Sequence, residues 1–419
     1  MGTSPHSSAA ESLSHHGQAI SSLAAIPQVG AAIAWLREQE SRFAQWQVEV
    51  ARIPAPPFGE SARGEWLAQK FSSLGLSNVH CDEIGNVLAV DPGLQDDAVS
   101  LSAHLDTVFP GTTPLDIRQH GRRLYGPGIS DNAAGIVALL AVAEACRQFQ
   151  LPHRAALLFI GNVGEEGEGD LRGMRYVFSN SRWRDWIRSS VVLDGAGSDT
   201  VVSEALGSRR FEIVMRGPGG HSWSDFGVPN PIVAIARAVQ LFSETRIPSS
   251  PKTTVNVGVI AGGTSVNSIP ESASIRVDIR STSASEIERV ELELRRAVEL
   301  ALQAEVARSE PGRLTRPHRE LRAEIHGIGN RPAGALDANS RIVQVTRAVD
   351  SFLNNQAAIQ RASTDANIPI SMGREAIAIG AGGSGGGAHT LQEWFDPAGR
   401  ELGLTRILLL VLALAGGAM

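Results

Sequence analysis

The sequence predicts an α/β protein: a doubly wound domain with a largely parallel sheet, interrupted by a ferredoxin-like α+β domain. Apolar strand-like runs alternate with helix-like runs up to about Ala205, the pattern of a parallel sheet with crossover helices. From Arg209 to about Ile328 the order changes to β-α-β-β-α-β, which is ferredoxin-like. Candidate metal ligands lie on both sides of this stretch, so we interpret it as an insertion into one discontinuous domain.

The first elements follow a segment, residues 1–20, that is expected to be a flexible tail. It is rich in Ser, His and Ala and lacks the basic-then-apolar order of a signal peptide. Its His15 and His16 offer a metal-binding alternative, but a tail is the preferred interpretation. The elements predicted next, in chain order, are a helix over Val29–Ile53 that stops at P54-A-P-P, a helix over Glu60–Leu74, a strand over Val99–Ala103, a helix over Ala133–Cys146, and strands over Ala155–Ile160 and Val191–Leu193.

The insert and the end of the chain continue the series. The last apolar run is too short for a membrane span of ~20 residues, so we interpret it as a core helix. The predicted elements are a strand over Phe211–Met215, a helix over Pro231–Ser243, strands over Thr254–Ile260 and Ser272–Arg280, a helix over Glu286–Arg308, a strand over Arg322–Ile328, and the final helix over Ile407–Met419.

The composition is that expected of a cytoplasmic enzyme with two domains. The chain has 419 residues, which is long enough for two domains, and 38 basic against 44 acidic residues give a net charge of −6. This charge offers nucleic acid no electrostatic footprint, and neither nucleic acid nor membrane is an expected partner. The two cysteines, Cys81 and Cys146, exclude a disulfide framework or a Cys-rich zinc site and are interpreted as core thiols.

Five short segments each place an acidic residue or a histidine beside a turn. Zinc accepts imidazole nitrogen and carboxylate oxygen, and a catalytic site keeps one position open for water. The set suffices for two ions with one bridging carboxylate, and leaves one Glu free to act as a base. The segments are S102-A-H-L-D-T-V with His104 and Asp106, G128-I-S-D with Asp131, G164-E-E-G with Glu165 and Glu166, V192-L-D-G with Asp194, and G387-A-H-T with His389.

The first two segments also have ordinary structural interpretations. An H-x-D after a strand is commonly a loop hydrogen bond. Because residues two apart in an extended chain point to the same side, Asp106 can instead accept the second ring N–H of His104. Asp131 occupies the first turn of a helix, where Asp is a preferred N-cap, although Ser130 can fill that role.

The later segments carry similar alternatives. Glu165 and Glu166 repel each other, so a pair beside an apolar strand is either a solvated acidic turn or is compensated by cations. Asp194 ends an apolar strand, where open α/β sheets place functional groups. The glycine-rich run over 380–387 lacks G-K-[ST] and the G-x-G-x-x-G pattern, so nucleotide binding is not expected. Glycine there lets the backbone approach a ligand closely.

Taken together and in this order, the five segments resemble the M20 metallopeptidases, a group of co-catalytic zinc exopeptidases and amide hydrolases. The resemblance runs from about Ile53 to the C-terminus. It implies a doubly wound, largely parallel-sheet zinc-hydrolase domain with an inserted ferredoxin-like lid, which in this family commonly mediates dimerisation. It also implies two Zn²⁺ per chain, with Co²⁺ or Mn²⁺ as substitutes, and a glycine-rich loop before the last histidine that lines the substrate cleft.

The resemblance also implies a role for each residue of the five segments. Glu165 would be the general base, Asp106 would orient His104, and a cis peptide would follow the bridging Asp. The five expected metal ligands are His104 and Asp194 on one ion, Glu166 and His389 on the other, and Asp131 between the two.

Three residues of the insert match family positions that touch substrate. His221, in R216-G-P-G-G-H-S, resembles the histidine that enters the partner subunit's active site and polarises the scissile carbonyl. Asn267 and Arg280 match positions that hold the substrate backbone and its carboxylate, and a guanidinium gives a bidentate match to a carboxylate. The plain alternatives are a loop histidine, a turn former and a surface ion pair.

The substrate class is inferred from departures within the family pattern. D131-N-A-A-G differs from the D-M-K type of many deacylases, an Asp at position 194 resembles the aminopeptidases and dipeptidases, and R361-A-S-T-D-A-N resembles the peptidase T-like branch. The expected function is an exopeptidase acting on short peptides, with an N-acyl amino acid deacylase or carboxypeptidase as the alternative. A catalytically silent scaffold is a third interpretation, disfavoured because every expected position is filled. The expected domains are a tail over 1–20, a catalytic domain over 21–206 and 331–419, and a lid/dimerisation domain over 207–330.

Overall fold

The computed structural model describes the backbone of residues 5–309 and 320–417, with side chains from residue 15 onward in those ranges. The helices, numbered in chain order, are α1 (Pro5–Ala24), α2 (Pro27–Glu38), α3 (Glu40–Ala51), α4 (Ser61–Ser73), α5 (Ala133–Phe149), α6 (Arg172–Ser179), α7 (Pro231–Ser243), α8 (Ala284–Arg308), α9 (Arg341–Phe352), α10 (Asn367–Ser371) and α11 (Arg400–Leu414).

Strands account for most of the remaining regular structure. They are β1 (Ser77–Cys81), β2 (Val87–Asp91), β3 (Ala98–His104), β4 (Arg118–His120), β5 (Arg123–Tyr125), β6 (Ala156–Asn162), β7 (Ile187–Leu193), β8 (Thr200–Ala205), β9 (Gly207–Arg216), β10 (Gly220–His221), β11 (Thr253–Gly262), β12 (Ser268–Ile269), β13 (Ser272–Ser281), β14 (Arg322–Arg331), β15 (Gly334–Ala335), β16 (Ala358–Ala362), β17 (Glu375–Ile379), β18 (Ser384–Gly386) and β19 (Trp394–Asp396).

The described residues form two compact units, the first within 1–205 and 335–419 and the second within 206–334. The main sheet of the first unit has the strand order β1-β2-β6-β3-β7-β17-β8-β15, and β16 pairs with β8. Strands β6, β3, β7 and β17 run parallel to one another, and β1 and β2 add an antiparallel edge. The expected α/β class with a largely parallel sheet is confirmed.

Helices cover both faces of this sheet, which explains why its central strands are apolar without interruption. In β6, Leu157 and Phe159 belong to the larger core, which also contains the buried side chains of α5 and α11. Their neighbours Leu158 and Ile160 belong to a second core that includes Met174 of α6. Because successive strand side chains point to opposite faces, one strand serves two cores.

The structure differs from the sequence prediction at two places near the start of the chain. The helix expected over Val29–Ile53 is two helices, because Gln39 leaves helical geometry (φ −92°, ψ 9°). Side chains on both sides of this break reach the same core, where the rings of Trp35 and Phe43 meet at 6.0 Å. The segment over residues 1–20, expected as a flexible tail, lies mostly within α1, and Ile20 is buried in the main core.

The second unit has a four-stranded antiparallel sheet in the order β11-β13-β9-β14, with α7 and α8 as its two helices. Its core joins apolar side chains from the sheet and both helices, such as Ile213, Ile235 and Leu294. The chain order and the sheet order are those of the ferredoxin-like motif expected from the sequence. Strands β11 and β14 are the two edges of this sheet.

Within the described ranges, no single helix has both the length and the apolar character needed to cross a membrane. One pair of helices bent by 74°, His15–Ala24 with Pro27–Glu38, meets that test only when its two members are taken together.

Candidate metal centre

The predicted metal ligands of the first unit gather at the carboxyl edge of its parallel strands. His104 is the last residue of β3, and Asp194 directly follows β7. Glu165 and Glu166 follow the end of β6, and the glycine-rich run after β17 leads to His389. Parallel strands bring their carboxyl ends to one edge, which is where open α/β sheets bind ligands.

Asp131 lies between the two imidazoles. Its Oδ1 is 3.1 Å from Nε2 of His104, and its Oδ2 is 3.2 Å from Nε2 of His389. Each ring nitrogen also faces a further carboxylate: Oδ1 of Asp194 lies 3.9 Å from His104, and Oε1 of Glu166 lies 3.1 Å from His389. One carboxylate therefore presents a different oxygen to each of two His–carboxylate pairs.

These contacts define two groups of potential metal ligands that share Asp131. In each group the ligand atoms lie within 4.8 Å of one another, and the groups are His104, Asp131 and Asp194, and Asp131, Glu166 and His389. A third group joins His104 with Glu165 and Glu166, so Glu165 also faces this centre. Carboxylate oxygen and imidazole nitrogen are donors that zinc-class ions accept, so the residues present fit the implied metal.

Asp106 contacts the centre differently from the sequence prediction. The Nδ1 of His104 lies 3.0 Å from the backbone carbonyl oxygen of Asp106, whereas the Asp106 carboxylate is 3.7 Å from that nitrogen. The carboxylate instead accepts the backbone N–H groups of Glu165 at 3.0 Å and Glu166 at 2.7 Å. These two hydrogen bonds of the fully buried Asp106 fix the turn that carries both glutamates.

Burial and mutual repulsion shift the acidity of this cluster. Burial raises the pKa of Glu166 to about 7, and the charge of Asp131 adds to that shift. Burial raises the pKa of Asp365, which lies behind the centre, to about 7 as well. Burial disfavours a charged His104, but hydrogen bonding to Asp131 outweighs it and holds the pKa of His104 well above its ordinary value. Divalent cations would offset such an excess of buried carboxylate.

A match to known proteins settles the family. Residues 100–413 match the profile of peptidase family M20/M25/M40, which covers most of the chain. The chain belongs to this family. Because its M20 relatives are metal-dependent peptidases and amidohydrolases, it is a metal-dependent hydrolase.

The M20 relatives with curated descriptions include both deacylating and peptide-cleaving enzymes. The chain is 25% identical over 259 residues to the succinyl-diaminopimelate desuccinylase of Burkholderia multivorans, covering 57% of this chain and 68% of that protein. It is 29% identical over 232 residues to a probable carboxypeptidase of Paracoccidioides lutzii. That match spans about half of each protein, 51% in both cases.

Solved structures resemble the M20 chain over nearly its whole length. The crystal structure of aminopeptidase PepT from Bacillus cereus ATCC 10987 matches with a TM-score of 0.71 at 19% sequence identity. The match covers 90% of this chain and 99% of that one. At this identity the likeness supports the fold and not the activity.

Asn132 and Glu393 are site residues that sequence reasoning missed. The side chain of Asn132 donates to the carbonyl oxygen of Leu193 at 2.8 Å and accepts the N–H of Gly195 at 3.2 Å, so it clasps the backbone on both sides of Asp194. Glu393 holds the turn of Asp131 from a distant part of the chain. The residues that the Asn132 and Glu393 side chains contact are distant in the sequence, so no local pattern identifies Asn132 or Glu393 as a site residue. The Asp131–Asn132 peptide is cis, as the resemblance implies.

Part of the glycine-rich run packs against the loops of the centre, and its expected place beside the substrate cleft stays a prediction. A Cβ on Gly380 would lie 2.5 Å from the carbonyl oxygen of Ala196, and one on Gly385 would lie 2.4 Å from Oγ of Ser130. These glycines let the run lie against the loops that carry Asp194 and Asp131. Their lack of a side chain is needed for packing of the centre itself.

The three remaining predicted site residues belong to the second unit, and the structure brings only two of them together. Ser222 N–H donates to the Asn267 carbonyl at 3.0 Å, so the His221 and Asn267 segments form one short ribbon, β10 with β12. Arg280 lies near the opposite end of β13 and pairs with Asp278 at 2.6 Å. That ion pair is the plain alternative considered for Arg280 from the sequence.

Proposed function

We propose that this M20 hydrolase is a co-catalytic dizinc exopeptidase that cleaves short peptides. The position of Asp131 between two His–carboxylate pairs carries the proposal. A carboxylate that presents one oxygen to each pair is suited to bridge two ions. His104 and Asp194 would hold one ion, and Glu166 and His389 the other. Zn²⁺ is the expected metal, with Co²⁺ or Mn²⁺ as substitutes. Bound metal would polarise the scissile carbonyl and acidify the attacking water.

Glu165 is the proposed general base. It is not part of either ligand group that shares Asp131, yet it lies in the third group beside His104. Its backbone is fixed by the Asp106 carboxylate, and its side chain is largely buried. Glu165 takes a proton from the attacking water as the C–O bond forms, and returns it to the leaving amine as the C–N bond breaks.

His221 is the proposed donor to the developing oxyanion. Its Nδ1 accepts the backbone N–H of Trp223 at 3.2 Å and faces that of Ser224 at 3.5 Å. A neutral imidazole that accepts at Nδ1 carries its proton on Nε2. These N–H groups therefore favour the His221 tautomer that can donate from Nε2 to a carbonyl oxygen.

The geometry of the second unit supports a homodimer through this lid. The His221 ribbon follows β9, whose last residue, Arg216, pairs with Ser272 at the start of β13. Arg280 lies eight residues further along β13 than Ser272. At ~3.3 Å per residue this is about 26 Å, longer than the ~10 Å of an extended tripeptide. One substrate meeting both groups would therefore take them from two copies. Edge strand β11 exposes Val259 and Ile260, which suits pairing with a second chain.

The substrate class rests on the residue pattern. Asp at position 194, the D131-N-A-A-G segment and R361-A-S-T-D-A-N favour release of residues from short peptides. An N-acyl amino acid deacylase or carboxypeptidase is the second candidate, supported by the desuccinylase and carboxypeptidase relatives. The cytoplasmic location stays a prediction from the sequence.

Two measurements test the proposal. Elemental analysis of the purified protein should find about two zinc-class ions per chain, and His104→Ala and His389→Ala should each lose about one. Full metal content in both variants would refute the ligand assignment. Chromatographic screening of zinc-loaded enzyme against di- and tripeptides and N-acyl amino acids should show release of single residues from peptides. Turnover of N-acyl amino acids alone would establish the deacylase instead.

A further inference from the structure

Glu393 is a buried carboxylate that connects two loops of the metal centre. Its Oε1 accepts the backbone N–H groups of Ser130 and Asp131, each at 2.7 Å, and its Oε2 accepts that of Gly128 at 2.9 Å. The side chain is fully buried. Three amide donors thus converge on one carboxylate, in the way that successive backbone N–H groups bind an anion.

The backbone of Glu393 belongs to the loop of His389. Its N–H donates to the carbonyl oxygen of Thr390 at 3.2 Å, and Thr390 N–H donates to that of Gly387 at 3.1 Å, on either side of the histidine. The carbonyl oxygen of Glu393 also accepts the N–H of Gly126 at 2.9 Å. The backbone of Glu393 is therefore fixed in the His389 loop, while its side chain is hydrogen-bonded to the Asp131 turn.

The turn of Asp131 is also held through Ile129, whose carbonyl oxygen accepts a hydrogen bond from Gln47 and whose N–H donates to the carbonyl oxygen of Gly126. Asn132 is the N-cap residue of α5, but its side chain makes no cap hydrogen bond and serves the Asp194 loop instead. The Glu393 carboxylate accepts hydrogen bonds from three backbone N–H groups of this turn. A shift of the turn would carry Asp131 away from both imidazoles, since its two oxygens contact one ring each.

We propose that Glu393 is a positioning residue that joins the His389 loop to the Asp131 turn, so that the two ion sites form as one unit. This inference rests on the proposed two-metal function. Glu393 touches neither ion site directly and acts through the backbone of Asp131. Its removal should weaken both sites together, because the ligand that it positions is shared.

The test is a metal titration of Glu393→Gln. The amide keeps the size of the side chain but presents a donor where a carboxylate oxygen accepted an N–H, so the turn loses at least one hydrogen bond. Zn²⁺ is titrated into metal-free protein by calorimetry, and Co²⁺ by visible absorption. We expect each of the two ion sites to bind its metal about 10–100-fold more weakly than in wild type. With metal saturating, kcat should fall while KM stays near its wild-type value.

Glu305→Gln is the matched control. Glu305 is also a buried glutamate whose Oε1 accepts a backbone N–H, that of Asn230 at 2.9 Å, but it lies in the second unit. A general loss of stability from a buried Glu→Gln change would appear in both variants. Weaker metal binding should appear in Glu393→Gln alone.

The outcomes separate this inference from the function beneath it. A wild-type protein that binds fewer than two zinc-class ions would refute the proposed function. Two ions in wild type, bound equally tightly by Glu393→Gln, would refute only the role of Glu393. If Glu393→Gln does not fold, Glu393→Asp replaces it, since its carboxylate is one methylene too short to keep all three contacts. Failure of both variants to fold would make Glu393 a purely structural residue and overturn the proposal.

Discussion

Replacement of Asp106 by Asn tests whether this carboxylate acts on the glutamate turn. Asp106 accepts the N–H groups of Glu165 and Glu166 at 3.0 and 2.7 Å and is fully buried. Asn keeps one acceptor oxygen, so one amide loses its partner and faces a donor. A hydrogen bond to a charged group contributes ~1.5–3 kcal/mol, and an unsatisfied buried N–H costs a further ~1–3 kcal/mol. Together these contributions lead us to expect that Asp106→Asn lowers the free energy of unfolding by about 2.5–6 kcal/mol.

The functional effect should exceed that of an equally destabilising change elsewhere. A displacement of ~1 Å at a reacting group costs on the order of 10²-fold in rate, so kcat should fall about 10²-fold in Asp106→Asn. Asp350→Asn is the control, because Asp350 is a buried aspartate paired with Arg406 at 2.6 and 2.8 Å, away from the centre. That variant should lose stability and keep its turnover.

The assay uses urea unfolding of the metal-free proteins, so that bound metal does not contribute to the free energy of unfolding. Turnover and zinc content are then measured on the loaded enzymes at a temperature where all three remain folded. Unchanged turnover and zinc content in Asp106→Asn would refute the reasoning. So would an equal loss of turnover in Asp350→Asn, because the effect would then follow stability alone.

Three further predictions concern the base, the lid and a histidine far from the centre. Glu165→Gln should abolish turnover and keep full zinc content by elemental analysis; loss of metal would show that Glu165 and Glu166 have exchanged roles. If the protein is a dimer through its lid, the His221→Ala and Glu165→Gln homodimers should each be nearly inactive. Mixing the two variants and allowing subunits to exchange should restore about half of the wild-type activity per heterodimer. Demonstrated exchange with no recovery would exclude action of His221 across a dimer. Burial disfavours a charged His153, but Asp91, 3.4 Å away, outweighs it and raises the pKa of His153 above its ordinary value. Its contribution to stability is therefore full below about pH 6.5 and is lost as pH rises through the folded-state pKa. Thermal unfolding of His153→Asn across this range should show a weaker pH dependence than wild type, and an identical profile would contradict the assignment.

The fold class was predictable because each central strand is a continuous apolar run followed by a turn. Buried parallel strands give that pattern. His104 ends one such strand, and Asp194 and the glutamate pair each follow another. The ferredoxin-like order of the insert was predictable for a different reason, because its strands and helices differ in hydrophobic period.

The connections between the ligand loops were not predictable from the sequence. Glu393 contacts Asp131 across a separation of 262 residues, and Asn132 contacts Leu193 across 61. Such contacts depend on the tertiary fold, and a single Glu or Asn in a turn carries no local signal. The break at Gln39 was missed because helical periodicity continues through it on both sides.

The place of β17 in the main sheet limits the order in which the first unit can be built. In this sheet β17 lies between β7 and β8, two strands that come before the second unit in the chain. A growing polypeptide that has emerged only as far as β8 therefore has an open slot in its sheet and lacks His389. The slot is filled only after the whole lid has been synthesised, which makes closure a late, long-range event of the kind that slows folding. During that interval the uncovered edges of β7 and β8 are open to pairing with other chains, and a chaperone that shields this slot would protect the nascent enzyme.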